Sequence, residues 1–342
     1  MTKECTLNKK TTTEQNTMTN IYKPSKEHIT RAAEIIKAGG LVVFPTETVY
    51  GLGANAFNAA AAAKIFELKK RPFFDPLIVH IAEPGGIEEL AAESNELVRI
   101  IVKKFWPGPL TIVLPRHETV PGIVTSGLPT IAIRMPAHAT ALELIQSSGV
   151  PIAAPSANTF GALSPTRAGH VLKDIGPGIE MILDGGPCEV GLESTIIKIE
   201  KDKIFLLRPG GTPIEELEKI TGPIYKGTEA KKAEAPGMLP YHYAPSKPLR
   251  IVASAQELDF SETDAAFLLF KEPTNGLLKE LDSNRLAILS PAGDMREAAA
   301  NIFSALHDLD QSGAKLIYAE AVPEKGLGLA IMDRLKKAAQ KT

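Results

Sequence analysis

Cysteine is nearly absent from this 342-residue chain: Cys5 and Cys188 are the only two. Two thiols are too few for a disulfide framework and lack zinc-ligand spacing, so a reducing, cytoplasmic compartment is expected. Excess charge is missing as well. Lys and Arg number 38 against 40 Asp and Glu, a net of −2, so no global positive field advertises DNA or RNA binding. Any basic site must be a local concentration. No apolar run is long enough to span a bilayer. The opening residues, MTKECTLNKKTTTEQNTMTN, have no apolar segment of the kind a secretory signal needs, and 1–22 read as a disordered tail. Several catalytic frameworks are absent: there is no Walker A loop, no GxSxG elbow and no HExxH. Use of a nucleotide would therefore need a pocket other than a P-loop.

What is present is ordinary for a soluble globular protein, 44% apolar and 23% charged, and the length predicts two domains. Helical patterns at 27–38, 59–70, 96–105, 139–147, 167–173 and 214–220 alternate with strand-like runs. The runs lie at 41–44, 77–81, 111–114, 130–135, 152–154, 181–183, 195–199 and 204–207. Gly39-Gly40 closes the first helix, Asn58 caps the second and Pro72 ends it. The mixture predicts one α/β domain over 23–220 with a large, mixed, twisted sheet. From 221 to 248, proline, glycine and charge replace apolar periodicity, the composition of a linker. Yet PGMLPYHYAP (236–245) holds Met238, Leu239, Tyr241, His242 and Tyr243, too apolar for a mere spacer. It is expected to dock, either as packing between domains or as a lid. Beyond it, LRIVAS, AAFLLF, RLAILS and KLIYAEAV alternate with helices, which predicts a smaller Rossmann-like parallel sheet over 249–342. GLGLAI at 326–331 imitates a dinucleotide fingerprint, but Ile331 occupies the third glycine position, so it reads as a helix start.

Polar groups gather at strand ends between Leu41 and Ile81: Thr46, Glu47, Thr48, Lys69, Arg71 and His80. That density points to an anionic ligand. Lys69 and Arg71 lie two apart, so they face each other only if the helix stops between them, which Pro72 encourages. Phosphate is the natural target of such a pair; solvated cations at a helix end are the plain alternative. In TIAIRMP, alternation puts Thr130, Ala132 and Arg134 on one face. An arginine inside an apolar strand either meets a structural carboxylate or lines a cavity for an anion. Ser156 and Asn158 follow a strand in PIAAPSANTF, where turn formation alone would also explain them. Ser164 precedes Pro165 as a cap-like pair; Glu193 and Ser194 stand at a strand start. Arg208 precedes two glycines that let backbone approach a ligand. His80 fits a satisfied core histidine as well as a ligand contact.

Taken together, PTETVYGLG, Lys69-x-Arg71, PLIVHI, TIAIRMP, Ser156-x-Asn158, LESTII and LLRPG resemble the YrdC-like threonylcarbamoyl-AMP synthase family over about 25–220. The PGMLPYHYAP linker and trailing α/β domain resemble its longer, two-domain form. The resemblance implies a nucleotidyltransferase that makes L-threonylcarbamoyladenylate and pyrophosphate from L-threonine, bicarbonate or carbon dioxide, and ATP with Mg²⁺. A separate transferase would carry the product onto tRNA as N6-threonylcarbamoyladenosine. By matching motif, Thr48, His80, Arg134, Ala154 and Ser194 would surround L-threonine, Ala154 mainly through its backbone. Arg71, Asp75, Thr130, Ser156, Ser164 and Arg208 would contact ATP. Lys69, Arg71, Ser156 and Asn158 form the catalytic set. Asp75 departs from the pattern, since relatives often carry asparagine there. The resemblance names no metal ligand and no general base, leaves a weak RNA contact open, and implies no membrane. Two other readings compete: an RNA-binding module, disfavoured by the net charge and by the lack of interleaved aromatic and basic residues, and a carbamoyl-transfer domain using carbamoyl phosphate. Proteins of the latter kind usually carry zinc-finger and acylphosphatase-like segments that this chain lacks.

Overall fold

The computed structural model describes residues 20–201, 203–227, 234–238, 242–273 and 283–340. Two sheets organise them. Eleven strands form one mixed sheet, in the spatial order Ile21–Tyr22, Met181–Leu183, Val42–Phe44, Gly51–Asn55, Ile152–Ala153, Ile78–His80, Thr130–Arg134, Leu110–Pro115, Thr195–Glu200, Lys203–Arg208 and Ile224–Lys226. The second sheet is wholly parallel, ordered Leu249–Val252, Leu316–Glu320, Ala265–Leu269 and Leu286–Ile288. Both sheets match the expected fold class. No helix among the described residues is long and apolar enough to cross a membrane.

Local chemistry explains the helices that flank the site. Asn58 caps Ala59–Lys69 by accepting from the Ala61 N–H, and the helix stops as Lys70 turns left-handed at φ 53°. That stop turns Arg71 away from the helix axis. Gly326 precedes Leu327–Ala338, so the GLGLAI run is indeed a helix start.

Three strands escaped the sequence reading. Gly51–Asn55 is hard to see because its two glycines lack the branched side chains that mark strands. Ile224–Lys226 extends the large sheet past residue 220, pairing parallel with Lys203–Arg208. Ile21 and Tyr22 pair with Ile182 and Leu183, so the expected tail is wrong at its end. The remainder of that tail, 1–19, lies outside the described residues, as do Leu239 and Tyr241 of the linker.

Register sets up the site. Ile78–His80 runs parallel to Thr130–Arg134 with His80 opposite Arg134, so two polar side chains end side by side. Alternation sends Val79, Ile131 and Ile133 into the main core, while Ile78 and Ala132 face the other way. On that second face they pack with Val113, Ile196, Ala235 and Met238. Ala235 and Met238 belong to the linker region, which therefore lies on the sheet as the aromatic content of PGMLPYHYAP suggested. The smaller domain's core reaches the site too, since Val49, Leu163, Leu192 and Tyr243 cluster with Ile302, Phe303, Ile331 and Leu335. Each of these fully buried large side chains contributes about 1.5–3 kcal/mol.

Candidate functional site

Seven stretches of the large domain and the linker come together around one hollow. Thr48, Arg71, His80, Arg134, Ser194 and Arg208 line it, together with Ala154, Ser156 and Glu193. From the linker come Pro236, Gly237, His242 and Tyr243. The hollow measures about 40 Å³, room for a water or two.

Arg134 meets a structural carboxylate and also lines the hollow. Its Nη2 lies 2.6 Å from the Glu47 carboxylate, and its Nη1 donates to the Thr48 hydroxyl at 2.9 Å. Its Nε donates to the Gly108 carbonyl at 3.3 Å while the side chain lines the cavity. A structural carboxylate thus positions a cation that also lines the hollow. His80 sits beside it, buried, and is pushed down to about 3 by burial and by the Arg134 charge. It is therefore a neutral imidazole at pH 7, with Nδ1 lacking a hydrogen-bond partner among the described residues.

Arg71 is held on one side by the Asp75 carboxylate at 2.8 Å, the Asp75 carbonyl at 3.0 Å and the Pro76 carbonyl at 2.8 Å. Burial pushes Asp75 up and Arg71 down, and each one's charge opposes that push on the other. At 2.8 Å the pair is best described as ionised. The Arg71 guanidinium also lies 5.9 Å from the Phe160 ring centroid. Asp75 itself does not line the hollow; it serves Arg71.

Lys69 takes a different part from the expected phosphate contact. Its ammonium donates to the Ser156 carbonyl at 2.6 Å and to the Asn158 carbonyl, and it is not among the lining residues. Burial, then the Arg71 charge, pushes Lys69 well below the ordinary lysine range. Asn158 spends its amide on the Thr159 and Ala162 carbonyls, at 2.8 and 3.0 Å. Lys69 and Asn158 therefore shape the loop that presents Ser156. Thr130 is half-buried opposite Pro115, away from the lining. Ser164 is fully buried behind Glu193, to which its hydroxyl donates.

Arg208 spans the strand end and the linker. Its Nε and Nη2 donate to the Ser194 carbonyl at 3.1 and 2.9 Å, and Nη1 donates to the Pro236 carbonyl at 3.1 Å. Nη2 also reaches the Ser194 hydroxyl at 3.1 Å, which in turn meets Thr111 at 2.7 Å. Gly210 lets this loop close: a Cβ there would lie 2.3 Å from the Glu193 carbonyl oxygen. Arg208 has no carboxylate partner within 4 Å among the described residues. Burial pushes its guanidinium below the usual range. A buried cation whose hydrogen bonds go only to neutral groups gains from an anion beside it.

Glu193, His242 and Tyr243 stand out in the sequence without an assigned role at the site, and no motif there marks Arg334. Glu193 accepts from Arg334 at 2.8 Å, a residue of the helix Leu327–Ala338 in the smaller domain. The signal for Arg334 was present in the sequence: Ile331, Arg334, Leu335 and Ala338 form one helical stripe, buried throughout. A charge on that stripe needs a buried partner.

Comparison with known proteins follows the same outline. The Sua5/YciO/YrdC family profile, described as telomere recombination, matches residues 34–210. The profile of the threonylcarbamoyl-AMP synthase C-terminal domain matches 212–340. A threonylcarbamoyl-AMP synthase from Pyrococcus abyssi is 46% identical over 314 residues, spanning 90% of this chain and 92% of that one. The Bacillus subtilis protein of the same name is 42% identical over 323 residues, spanning 91% and 92%. The crystal structure of P. abyssi Sua5 complexed with L-threonine superposes with a TM-score of 0.85 at 44% identity, over 94% of this chain and 96% of that one.

Proposed function

The chain belongs to the threonylcarbamoyl-AMP synthase family, and from that premise we propose that the hollow under the linker is where it performs the family's reaction. L-Threonine, bicarbonate or carbon dioxide, and ATP become L-threonylcarbamoyladenylate and pyrophosphate, for N6-threonylcarbamoyladenosine formation in tRNA. The observation that supports this best is Arg208, a buried guanidinium that lines the hollow and forms no ion pair within 4 Å among the described residues. Arg71 and Arg134 converge on the same space from other segments.

In this reading Thr48, His80, Arg134 and Ser194 hold threonine, with the Arg134 guanidinium facing its carboxylate. Neutral His80 offers a hydrogen bond without adding a second positive charge. The threonine amine attacks carbon dioxide; the resulting carbamate oxygen bonds to the α-phosphorus while the bond to the β-phosphate oxygen breaks. That step is nucleotidyl transfer. Charge builds on the carbamate and on the departing pyrophosphate, where Arg71 and Arg208 are fixed in advance and need no reorganisation. Holding the partners in line does most of the remaining work. Lys69 and Asn158 act indirectly, by setting the Ser156 loop.

Mg²⁺ is expected to arrive as part of the nucleotide. Among the described residues no group of three or more His, Cys, Asp or Glu could hold a metal. The nearby carboxylates of Glu47, Asp75 and Glu193 are already paired with arginines. The donor set therefore fits an ion carried in by the nucleotide phosphates. Bound there, it would neutralise phosphate charge.

Carbamate and acyl-phosphate bonds are both hydrolysed readily, so excluding water has value. Pro236, Gly237, His242 and Tyr243 of the linker form part of the wall of the hollow. The linker is thus proposed as a lid that leaves for substrates and returns for chemistry. The product would pass to a separate tRNA threonylcarbamoyl transferase. The experiment is pyrophosphate release from ATP, assayed with threonine and bicarbonate each omitted in turn. Dependence on both supports the reading; release without either, or none at all, rejects it.

A further inference from the structure

The smaller domain does more than cover one end of the sheet. We propose that Arg334 is a positioning residue for the active site, supplied by the C-terminal domain, and that the catalytic domain's site is incomplete without it. The proposal rests on the function proposed above.

Glu193 is the pivot. It is buried at 6% exposure, and its two carboxylate oxygens have different owners. One accepts from the Ser164 hydroxyl inside the catalytic domain. The other accepts from Arg334 Nε at 2.8 Å, across the domain boundary. Arg334 Nη1 adds a bond to the Pro209 carbonyl at 3.0 Å, beside Arg208. The Arg334 side chain is wholly buried, so both charges have left water. Burial alone would push the Glu193 carboxyl up; the Arg334 and Arg208 guanidinium groups and the Ser164 hydroxyl outweigh it and hold the group below its ordinary range.

The residue after Glu193 is Ser194, whose carbonyl and hydroxyl are gripped by Arg208. Fixing Glu193 therefore fixes the backbone that presents Ser194 and the cation beside it. The same helix reaches the linker. Lys337, one turn beyond Arg334, donates to the Gly237 carbonyl at 2.7 Å. The Arg334 guanidinium lies 4.7 Å from the centroid of the Tyr243 ring. A second helix, Met295–Asp310, presses on the same loop. Gly191 approaches it so closely, at φ +68°, that a Cβ would lie 2.5 Å from the Ala299 carbonyl oxygen. One guanidinium thus ties together the carboxylate behind the site, the loop of Arg208 and the aromatic end of the linker.

The test uses the full-length enzyme and steady-state pyrophosphate release. Arg334→Met leaves Glu193 charged, buried and without its partner; kcat/KM for threonine should fall about 100-fold, mainly through a higher KM. Arg334→Lys keeps the charge but not the planar fork, and should fall between Met and wild type. Glu193→Gln in the Arg334→Met background removes the unpaired charge and should restore activity about tenfold over Arg334→Met alone. A purely structural role would lower the active fraction, reducing kcat with KM unchanged, and would make the two losses multiply. Either pattern overturns the proposal. If Arg334→Met does not fold, Arg334→Lys is read instead: a raised KM for threonine supports the proposal, and wild-type Michaelis constants overturn it. Wild-type enzyme that releases no pyrophosphate would refute the proposed reaction, a distinct failure.

Discussion

Removing the Arg71 guanidinium should cost two separable things, and a second substitution should return only one. Arg71 and Asp75 form a buried ion pair at 2.8 Å, with side chains 2% and 0% exposed. Arg71→Ala leaves Asp75 charged in a dry site, a change that costs about 3–5 kcal/mol. At roughly 2–4 °C per kcal/mol for a domain of this size, the unfolding midpoint should drop by about 6–20 °C. Asp75→Asn in the same chain removes the stranded charge and should recover most of that loss. Activity should not follow. A charge-assisted hydrogen bond to phosphate is worth about 1.5–3 kcal/mol, so kcat/KM for ATP should stay down about 10- to 100-fold in both variants. Thermal unfolding followed by circular dichroism reads the first quantity, and pyrophosphate release at varied ATP reads the second. Wild-type activity in Arg71→Ala/Asp75→Asn would show that Arg71 only neutralises Asp75. An unshifted midpoint in Arg71→Ala would show that the pair carries no stability.

Three further outcomes are expected. His80 is held down to about 3 and His242 well below 6.5, each first by burial. The unfolded chain therefore binds more protons on them below pH 6.5, so their contribution is complete above that pH and declines as pH falls toward 3. His80 should give about 1.4 kcal/mol per pH unit in that window, and His242 should act in the same direction; denaturant midpoints that stay level between pH 7 and 4.5 would contradict this. Gly191→Ala puts a Cβ against helix backbone at a left-handed φ and should cost about 1–3 kcal/mol, so an unchanged melting temperature would show that the domains are not pressed together there. Deleting 236–245 should abolish turnover or release hydrolysed product, and unchanged kinetics would rule out a lid.

Much of this site was readable before any coordinates, for physical reasons. Alternation in TIAIRMP put Arg134 on the face of Ala132 rather than that of the isoleucines, and that face is the one the linker covers. The helix stop before Arg71 was visible in Pro72. The destination of each polar group was less visible. Lys69 looks like half of a phosphate clamp, yet carbonyl oxygens from a loop some ninety residues away occupy its ammonium. Ser164 likewise binds Glu193, which its local spacing does not record, whereas the Asn158 amide bonds the nearby Thr159 and Ala162 carbonyls, the turn role its spacing also allowed. Gly51–Asn55 was missed because its glycines hide the strand, and Arg334 because its partner Glu193 lies 141 residues upstream.

The central claim is tested most directly by identifying the products formed from ATP, L-threonine and bicarbonate by the purified full-length chain. Mass spectrometry and anion-exchange chromatography should find pyrophosphate together with L-threonylcarbamoyladenylate, and neither when threonine is left out. ADP and inorganic phosphate in their place, or pyrophosphate formed equally well without threonine, would contradict the account.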